Sequence, residues 1–173
     1  MKKKISIIVG GSGQLGISLA KFLLKRNYQV IITTRNVNSA KKKILIKNKN
    51  LKLVNLDVLN TKEVFLILKK NKPEMVFYFA GQSSPSISFV KNKITYLSNV
   101  RGCENFLKII SKEKFDTKFI NASSSEIFAD TKKKISLEAK KKPISPYGKA
   151  KLISFNKTKF FRKKNNIKAY NAI

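Results

Sequence analysis

The sequence predicts an α/β fold in which a parallel β-sheet carries helices on both faces, and three observations indicate it. Short runs of β-branched and aromatic residues alternate along the chain with segments of helical periodicity. The runs are nearly continuous in apolar residues, which is typical of strands buried on both faces. Two runs end directly in glycine, where a strand can turn sharply. No linker or repeat interrupts this pattern, so a single domain over residues 1–173 is predicted.

Six strands are predicted, and in chain order they are KKISIIVGG, YQVIITT, LKLVNLDV, EMVFYFAG, TKFINASS and IKAYNAI. Helices are assigned where apolar residues recur at spacings of three and four, over 14–26, 61–70, 93–111 and 145–162. A lysine-rich stretch before the third strand is compatible with one further short helix.

Two of these helices have an apolar face that we expect to point at the sheet. In the first helix the face consists of Leu15, Leu19, Phe22 and Leu23. In the helix over 93–111 it consists of Ile94, Leu97, Phe106, Leu107 and Ile110. The last helix accommodates Pro146 in its first turn, where no amide hydrogen is needed.

The composition is that of a basic protein with an ordinary apolar content. The net charge is +29, and 42% of the residues are hydrophobic. Such a charge is compatible with binding to nucleic acid or to an anionic membrane surface. However, the lysines are scattered, and only four residues are Arg, the better reader of phosphate and guanine. Because the chain is also rich in Asn and Ile, whose codons like those of Lys are A/T-rich, we interpret the charge as a coding bias and expect no nucleic-acid partner.

The cellular compartment is inferred from two features. No run of about 18 apolar residues occurs, so no membrane span is predicted. Cys103 is the lone cysteine, which excludes an internal disulfide and fits a reducing compartment. We therefore expect a cytoplasmic protein.

A glycine-rich turn, VGGSGQLG, joins the first strand to the first helix. Gly10 permits the tight turn, Gly13 lets the backbone approach a pyrophosphate, and Gly16 lets the helix pack closely. Gln14 opens the helix, whose free amides then face the phosphates. In this context the glycine spacing predicts a Rossmann-type, doubly wound fold that binds a dinucleotide, and a purely structural turn is the alternative.

The end of the second strand bears on which dinucleotide binds. An acidic residue there would bind the ribose 2′-hydroxyl of NAD, but the segment is IITTRN, and no acidic residue precedes Asp57. Arg35 stands where a 2′-phosphate needs a cation, and Ser39 is a further hydrogen-bonding candidate, so NADP is favoured over NAD. Asp57, followed by Val58, closes the third strand and is expected either to reach the adenine or to cap a helix.

Tyr147 and Lys151 in the segment SPYGKAK are four residues apart and share a helix face. A lysine beside a tyrosine favours the phenolate, so we expect the pKa of Tyr147 to lie below its ordinary value of about 10. The tyrosine is then a usable base for the hydroxyl of a sugar or alcohol. Lys151 is also expected to hold the nicotinamide ribose. Without a dinucleotide site, the same spacing indicates only a surface pair.

Polar residues follow the fourth and fifth strands, whose carboxyl ends border the expected crevice. Those after the fifth strand are Ser123, Ser124, Ser125 and Glu126. A carboxylate beside hydroxyls suits proton removal next to a carbonyl, and a loop or helix cap is the alternative. After the fourth strand, Ala80 and Gly81 are expected to lie against the cofactor. Ser83 and Ser84 are expected to bind substrate, together with Ser124, and no metal site is predicted.

These segments together resemble the extended short-chain dehydrogenases/reductases. Within that group they resemble the nucleotide-sugar 4,6-dehydratases, and most closely the GDP-mannose 4,6-dehydratase family. The resemblance spans the whole chain and is carried by GGSGQLG, Arg35, AGQSS, Ser124-Ser125-Glu126 and SPYGKAK. Two departures are that Ser124 replaces the usual threonine, and that GQLG is closer to the glycine turns of the related dehydrorhamnose reductases.

The resemblance implies an enzyme that acts on a nucleotide sugar, GDP-mannose, with NADP. Tyr147 would remove the C4 hydroxyl proton while hydride passes to the cofactor, and Ser124 would polarise the C4 oxygen. Glu126 would then remove the C5 proton as water leaves from C6, and hydride would return to C6. The net reaction is a dehydration to a 4-keto-6-deoxy sugar, in which Glu126 distinguishes a dehydratase from an epimerase.

The family also implies a sugar-nucleotide domain formed by roughly the second half of the chain, so we expect this sequence to be truncated. It further implies a homodimer or tetramer of full-length chains. Two alternatives stay open. One is another epimerase, dehydratase or reductase of the same superfamily. The other is a non-catalytic module that binds NADP or nucleic acid.

Overall fold

The structure is a computed structural model that describes residues 4–128, 134–136 and 138–173. Its strands are β1 (Ile5–Val9), β2 (Gln29–Thr34), β3 (Leu51–Asn55), β4 (Met75–Tyr78), β5 (Lys118–Ala122) and β6 (Ala169–Ala172). Its helices are α1 (Gln14–Lys25), α2 (Val37–Lys43), α3 (Thr61–Asn71), α4 (Pro85–Val90), α5 (Asn92–Tyr96), α6 (Gly102–Lys112) and α7 (Pro146–Lys164). A π-helical turn occupies Leu97–Arg101, and a 3-10 turn occupies Ser125–Ile127. Residue 3 of the predicted first strand lies outside the described ranges.

The six strands form one parallel sheet in the order β3-β2-β1-β4-β5-β6. At its centre, Ile7 of β1 pairs with Ile31 of β2 on one side and with Val76 of β4 on the other. From β1 the chain continues to β2 and β3 on one side, and it then crosses back to β4, β5 and β6 on the other side. A crevice therefore opens at the carboxyl ends of β1 and β4. The predicted Rossmann-type, doubly wound fold is confirmed.

Helices cover both faces of this sheet. Because consecutive strand residues point to opposite faces, Ile7 and Ile8 belong to different apolar clusters, and both are fully buried. Ile8 lies in the cluster under α1 and α2, with Ala20. Ile7 lies in the cluster under α3 and α6, with Phe106. No helix in the described part of the chain is long and apolar enough to cross a membrane.

The inward face of α1 differs from the predicted one. Leu23 is buried, but Leu15 and Phe22 are 73% and 49% exposed. The first turn of α1 lies so close to the glycine turn that a side chain at Gly16 would overlap the main chain of Gly11. Small residues therefore face the sheet at the start of the helix, and the buried positions are Gly16, Ala20, Leu23 and Leu24.

The predicted helix over 93–111 is divided into α5, the π-helical turn and α6. Tyr78 of β4 donates a hydrogen bond of 2.6 Å from its hydroxyl to the carbonyl oxygen of Ser98. A side chain at Gly102 would overlap that same hydroxyl. The π-helical turn thus adapts the helix to a buried tyrosine. Ile94 is 49% exposed and not on the inward face, whereas three other predicted residues are buried: Phe106, Leu107 and Ile110.

A cluster of charges joins α6 to α7. The carboxylate of Glu104 lies 3.0 Å from Lys157 of α7, 3.1 Å from Lys108 and 3.3 Å from Arg101. Burial acts to raise the pKa of Glu104, but hydrogen bonds from Lys157 and Lys108 outweigh it and hold the pKa below its ordinary value. The carboxylate, whose side chain is 9% exposed, therefore stays ionised, while its three partners are between 31% and 59% exposed.

Candidate active site

The glycine turn after β1 lies between the ends of β2 and β4. Gly10 has a φ of +71°, and a Cβ there would lie 2.6 Å from the Cα of Ala80. Its amide donates to the carbonyl of Thr33 at 3.0 Å, which closes the turn onto β2. Gly13 is different, because a Cβ built there meets nothing within 4 Å. Gly10 is therefore required by the fold, whereas Gly13, just before Gln14 at the start of α1, leaves space in front of the helix.

A cavity of about 670 Å³ opens at the carboxyl ends of the first four strands. The predicted cofactor-binding residues that line it are Gly10, Arg35, Asp57, Val58, Ala80 and Gly81. Its far wall comes from Gln82 before α4, from α4 itself and from residues after it, which sequence reasoning did not assign to the site: Gln82, Ile87, Lys91, Ile94, Leu97 and Ser98. The cavity is thus enclosed by strand ends on one side and by helix residues on the other.

Around Arg35, the structure separates residues that the sequence grouped together. Arg35 lines both the main cavity and a smaller neighbouring pocket of about 290 Å³, which Asn36 and Asn55 also line. Asn36 caps α2 by accepting the amide of Ser39 at 2.9 Å, and Ser39 lines neither pocket. The open corner beside Arg35 is therefore polar and formed mainly by asparagines.

Asp57 lines the cavity and also holds a local turn. One of its carboxylate oxygens accepts the amide of Leu59 at 3.0 Å. The alternative role of helix cap is wrong, because Asn60 caps α3 by accepting the amides of Lys62 and Glu63. Asp57 thus remains at the cavity wall with its position fixed by the turn.

The segment after β4 is held by a buried amide network. Asn99, in the π-helical turn, donates to the carbonyl of Gln82 at 3.0 Å, and Thr95 donates to the Gln82 side chain at 3.2 Å. The Ser84 hydroxyl caps α4 by accepting the amide of Ile87 at 3.4 Å. Ser83 is exposed. Gln82, rather than either serine, is the polar residue that this segment contributes to the cavity wall.

The predicted catalytic residues meet where β5 ends beside the first turn of α7. Ser124 forms a side-chain hydrogen bond with Tyr147 and accepts the amide of Glu126 at 3.2 Å. The main chain of Glu126 lies against Gly148, where a side chain would overlap its carbonyl. The ammonium of Lys151 lies 5.6 Å from the centre of the Tyr147 ring and donates to the carbonyl of Ala122 at 2.9 Å.

The electrostatics of this pair differ from the expectation. Burial raises the pKa of Tyr147, a hydrogen bond with Ser124 lowers it, and the Glu126 carboxylate raises it, with a net upward shift. Burial also lowers the pKa of Lys151 to about 8. The expected lowering of the Tyr147 pKa is therefore wrong for the protein alone, because desolvation of the phenol outweighs its hydrogen bond with Ser124, while the Lys151 ammonium is directed at the Ala122 carbonyl.

Sequence reasoning missed α4 and the buried side chains around it. The sequence did contain a signal for α4. Ser84-Pro85 places a serine at the N-cap and a proline at the first helical position, and Ser145-Pro146 begins α7 in the same way. Six residues are too few for a recognisable apolar period, so this pairing was the remaining evidence for a helix.

A parallel doubly wound sheet, a glycine turn at its centre and a Tyr-Lys pair at its carboxyl edge define the class of extended short-chain dehydrogenases/reductases. Within this class, the profile of the family described as GDP-mannose 4,6 dehydratase matches residues 7–173. The chain belongs to that family, and the predicted resemblance is confirmed.

Individual relatives agree with this membership. The chain is 29% identical to a GDP-mannose 4,6-dehydratase of Vibrio cholerae, over all of this chain and 49% of that protein. It is also 29% identical to a UDP-glucose 4-epimerase of Mycoplasma genitalium, over 84% of this chain and 44% of that protein. A crystal structure of UDP-glucose 4-epimerase from Brucella ovis in complex with NAD superposes with a TM-score of 0.84 at 22% identity, over 96% of this chain and 50% of that one. The chain thus spans about half the length of the relatives it matches.

Proposed function

We propose that this chain is the cofactor-binding and catalytic part of a nucleotide-sugar 4,6-dehydratase that converts GDP-mannose to its 4-keto-6-deoxy form. The observation that carries the proposal is the meeting of Ser124, Glu126 and Tyr147 at the end of β5. A base for a sugar hydroxyl, a hydroxyl to hold the developing carbonyl and a separate carboxylate are the groups that oxidation followed by elimination needs. The carboxylate is the distinguishing group, because an epimerisation at C4 removes no C5 proton.

The residues around the cavity fit a dinucleotide. A Cβ at Gly13 meets nothing within 4 Å, which leaves room in front of the free amides of α1 for a pyrophosphate. Asp57 and Gly81 line the cavity where an adenosine and the adjoining phosphates would extend from the turn. When bound, the nicotinamide supplies the acceptor for the C4 hydride and returns it to C6.

NADP is the proposed cofactor, and Arg35 supports it. The guanidinium borders both the main cavity and the neighbouring pocket lined by asparagines, and among the described residues no acidic side chain lines that pocket. An acidic residue in this place would favour the free 2′-hydroxyl of NAD, whereas a cation favours the 2′-phosphate.

In the proposed chemistry, Tyr147 accepts the C4 hydroxyl proton. Because burial raises its pKa, the phenol needs a nearby cation to ionise, and Lys151 is a buried cation 5.6 Å from its ring. Ser124 holds the C4 oxygen, and Glu126 removes the C5 proton that the new carbonyl acidifies. The C6 hydroxyl leaves as water, so the reaction is a net dehydration.

Incubation of the full chain with NADP and GDP-mannose tests the proposal. The expected product, seen by NMR and mass spectrometry, is a 4-keto-6-deoxy sugar nucleotide lighter by one water. Glu126→Gln should stop elimination while hydride transfer to NADP still produces absorbance at the wavelength of the reduced nicotinamide. Full turnover by Glu126→Gln would refute the role of this residue.

A 4-epimerase acting on a UDP-sugar is the second candidate, which the Mycoplasma genitalium relative and the Brucella ovis structure support. The same incubation with UDP-glucose distinguishes the two, because an epimerase yields UDP-galactose without loss of water and needs no Glu126 carboxylate. Binding of NADP without turnover of either sugar nucleotide would leave the non-catalytic fragment as the remaining interpretation.

Three further properties complete the proposal. Residues 1–173 form one NAD(P)-binding domain, as the single sheet of the described residues suggests. The protein functions in the cytoplasm, where its nucleotide-sugar substrate would be found. The full-length form assembles as a homodimer or tetramer. Sedimentation of the full-length protein would test the last of these.

A further inference from the structure

Tyr147 depends on a residue from a distant part of the chain. Its backbone amide donates a hydrogen bond of 3.0 Å to the hydroxyl of Ser88 in α4. Ser88 is fully buried, and its hydroxyl donates in turn to the carbonyl of Pro85, three residues back in the same helix. The hydroxyl is therefore oriented, with its lone pair directed at the Tyr147 amide.

This bond completes the first turn of α7. The amides at the start of a helix have no partner within it, and each needs another acceptor. Pro146 has no amide hydrogen, and the amide of Gly148 is capped by the Ser145 hydroxyl at 3.0 Å. The regular helical bonds begin with Lys149, which donates to the Ser145 carbonyl at 2.9 Å. Of the first three helical residues, Tyr147 is thus the one whose amide relies on another element.

The helix that supplies Ser88 also faces the cofactor cavity. Ile87, its neighbour, lines that cavity, while Ser88 is directed at α7. α4 therefore lies between the proposed cofactor site and the proposed base and contacts both. A shift of α4 would move the wall of the cavity and the main chain of Tyr147 together.

We infer that Ser88 is a positioning residue, which fixes Tyr147 through its backbone amide and ties it to the helix that borders the cofactor cavity. Its effect on catalysis rests on the proposed function, in which Tyr147 is the base. Its effect on the placement of the Tyr147 side chain does not depend on any substrate.

The inference is tested by following the ionisation of the tyrosines in the full chain by ultraviolet absorbance as the pH is raised. Subtracting the titration curve of Tyr147→Phe from that of the wild type isolates the contribution of Tyr147. The groups that face this phenol are Ser124, Glu126 and Lys151. In Ser88→Ala the Tyr147 amide loses its acceptor, the first turn of α7 loosens, and the ring becomes more exposed. Because burial is the largest cause of its raised pKa, the midpoint should fall toward the ordinary value of about 10.

Three variants complete the experiment. Ser88→Thr keeps a hydroxyl that can bond the carbonyl three residues back, so the wild-type midpoint is expected. Ser88→Cys fills a similar volume with a weaker acceptor, so it should shift the Tyr147 midpoint in the same direction as Ser88→Ala. The cysteine variant replaces the alanine variant if the latter does not fold. Thr117→Val is the control, because it removes a buried hydroxyl bond of 2.7 Å to the Pro73 carbonyl at the opposite end of β5.

Turnover of the same variants provides a second readout. Ser88→Ala should lower kcat by about tenfold to a hundredfold, the scale of a small displacement of a reacting group, with the KM for NADP unchanged. An unchanged Tyr147 midpoint in Ser88→Ala, or an equal shift in Thr117→Val, would overturn the inference. If the wild-type protein turns over no sugar nucleotide, the proposed function fails, while the titration still decides the role of Ser88.

Discussion

The two halves of the candidate site are built in opposite ways. Beside β1 and β4, the wall is formed by main chain and by missing side chains, as at Gly10 and Gly13. Beside β5 and α7, it is formed by ionisable side chains, Tyr147 and Lys151, which burial holds away from their ordinary pKa values. The first half functions by leaving space, and the second by holding reactive groups. We therefore expect substitutions to act on stability or binding in the first half and on protonation in the second.

The largest effect is expected from Gly10→Ala. The added Cβ would lie 2.6 Å from Ala80 at a φ of +71°, so backbone strain and overlap together should lower the free energy of unfolding by about 2–5 kcal/mol. Gly13→Ala is the matched control, since its Cβ enters open space and should lower stability by less than about 1 kcal/mol. Urea unfolding measures the free energy of unfolding of both variants. The Gly13→Ala variant should fold but should no longer bind a dinucleotide. Equal stability of the two variants would contradict this account of the turn.

Lys151→Met tests the second half. Burial lowers the pKa of Lys151 from 10.5 to about 8, so the folded state binds fewer protons than the unfolded state between these values. Removal of the charge should therefore raise stability near pH 7 by at most about 3 kcal/mol, reduced by the lost hydrogen bond to Ala122.

The pH dependence of that difference has a definite sign. Wild-type stability should rise as the pH increases from about 8 to 10.5, while Lys151→Met lacks this contribution and the difference between them shrinks. Denaturant unfolding at several pH values measures it. A constant difference across this range would show that the ammonium is not desolvated as described.

Arg35→Ala should have an intermediate effect, on binding alone. Loss of one charge-assisted hydrogen bond to the 2′-phosphate predicts a Kd for NADP raised by about tenfold or more, with the Kd for NAD little changed. Arg26→Ala is the control for loss of a positive charge, because Arg26 stacks on Phe22 on the exposed side of α1. Isothermal titration calorimetry with both dinucleotides provides the comparison, and an equal loss of NADP affinity in both variants would argue against a specific site.

The smallest effects are expected at the two Ser-Pro helix starts, one in each half. Ser145 is buried and accepts the amide of Gly148 at 3.0 Å, so Ser145→Ala should lower stability by about 1–2 kcal/mol. Ser84 is more exposed and accepts its amide at 3.4 Å, so Ser84→Ala should lower it by about 0.5 kcal/mol. Thermal unfolding measures both. A larger loss for Ser84→Ala would reverse the proposed ranking of the two helix starts.

The fold and the cofactor half of the site could be predicted from the sequence because both are local. Continuous apolar runs indicate buried parallel strands, and the spacing of Gly10, Gly13 and Gly16 places a turn between a strand and a helix. The helix faces were less predictable. Periodicity alone put Phe22 on the inward face of α1, whereas the close approach of Gly16 to the glycine turn rotates the helix the other way.

The catalytic half could be predicted in its residues but not in its electrostatics. The spacing of Tyr147 and Lys151 gave a shared helix face, but the sequence does not show that the ammonium is directed at the Ala122 carbonyl. Ser88 was missed for the same reason, since its partner is 59 residues away along the chain. Such contacts exist only once the sheet has brought distant elements together.

The charge cluster at Glu104 has a consequence for the behaviour of this basic protein in acid. Its carboxylate separates three cations contributed by the π-helical turn, α6 and α7, and its lowered pKa means that the pairing stabilises the fold above about pH 4.5 and is lost as the pH falls further. Once Glu104 is protonated, Arg101, Lys108 and Lys157 repel one another across the seam between the helices. Lys151 lies on α7 and interacts electrostatically with Cys103 of α6, so acid inactivation should begin as a separation of α6 from α7, before the sheet itself unfolds.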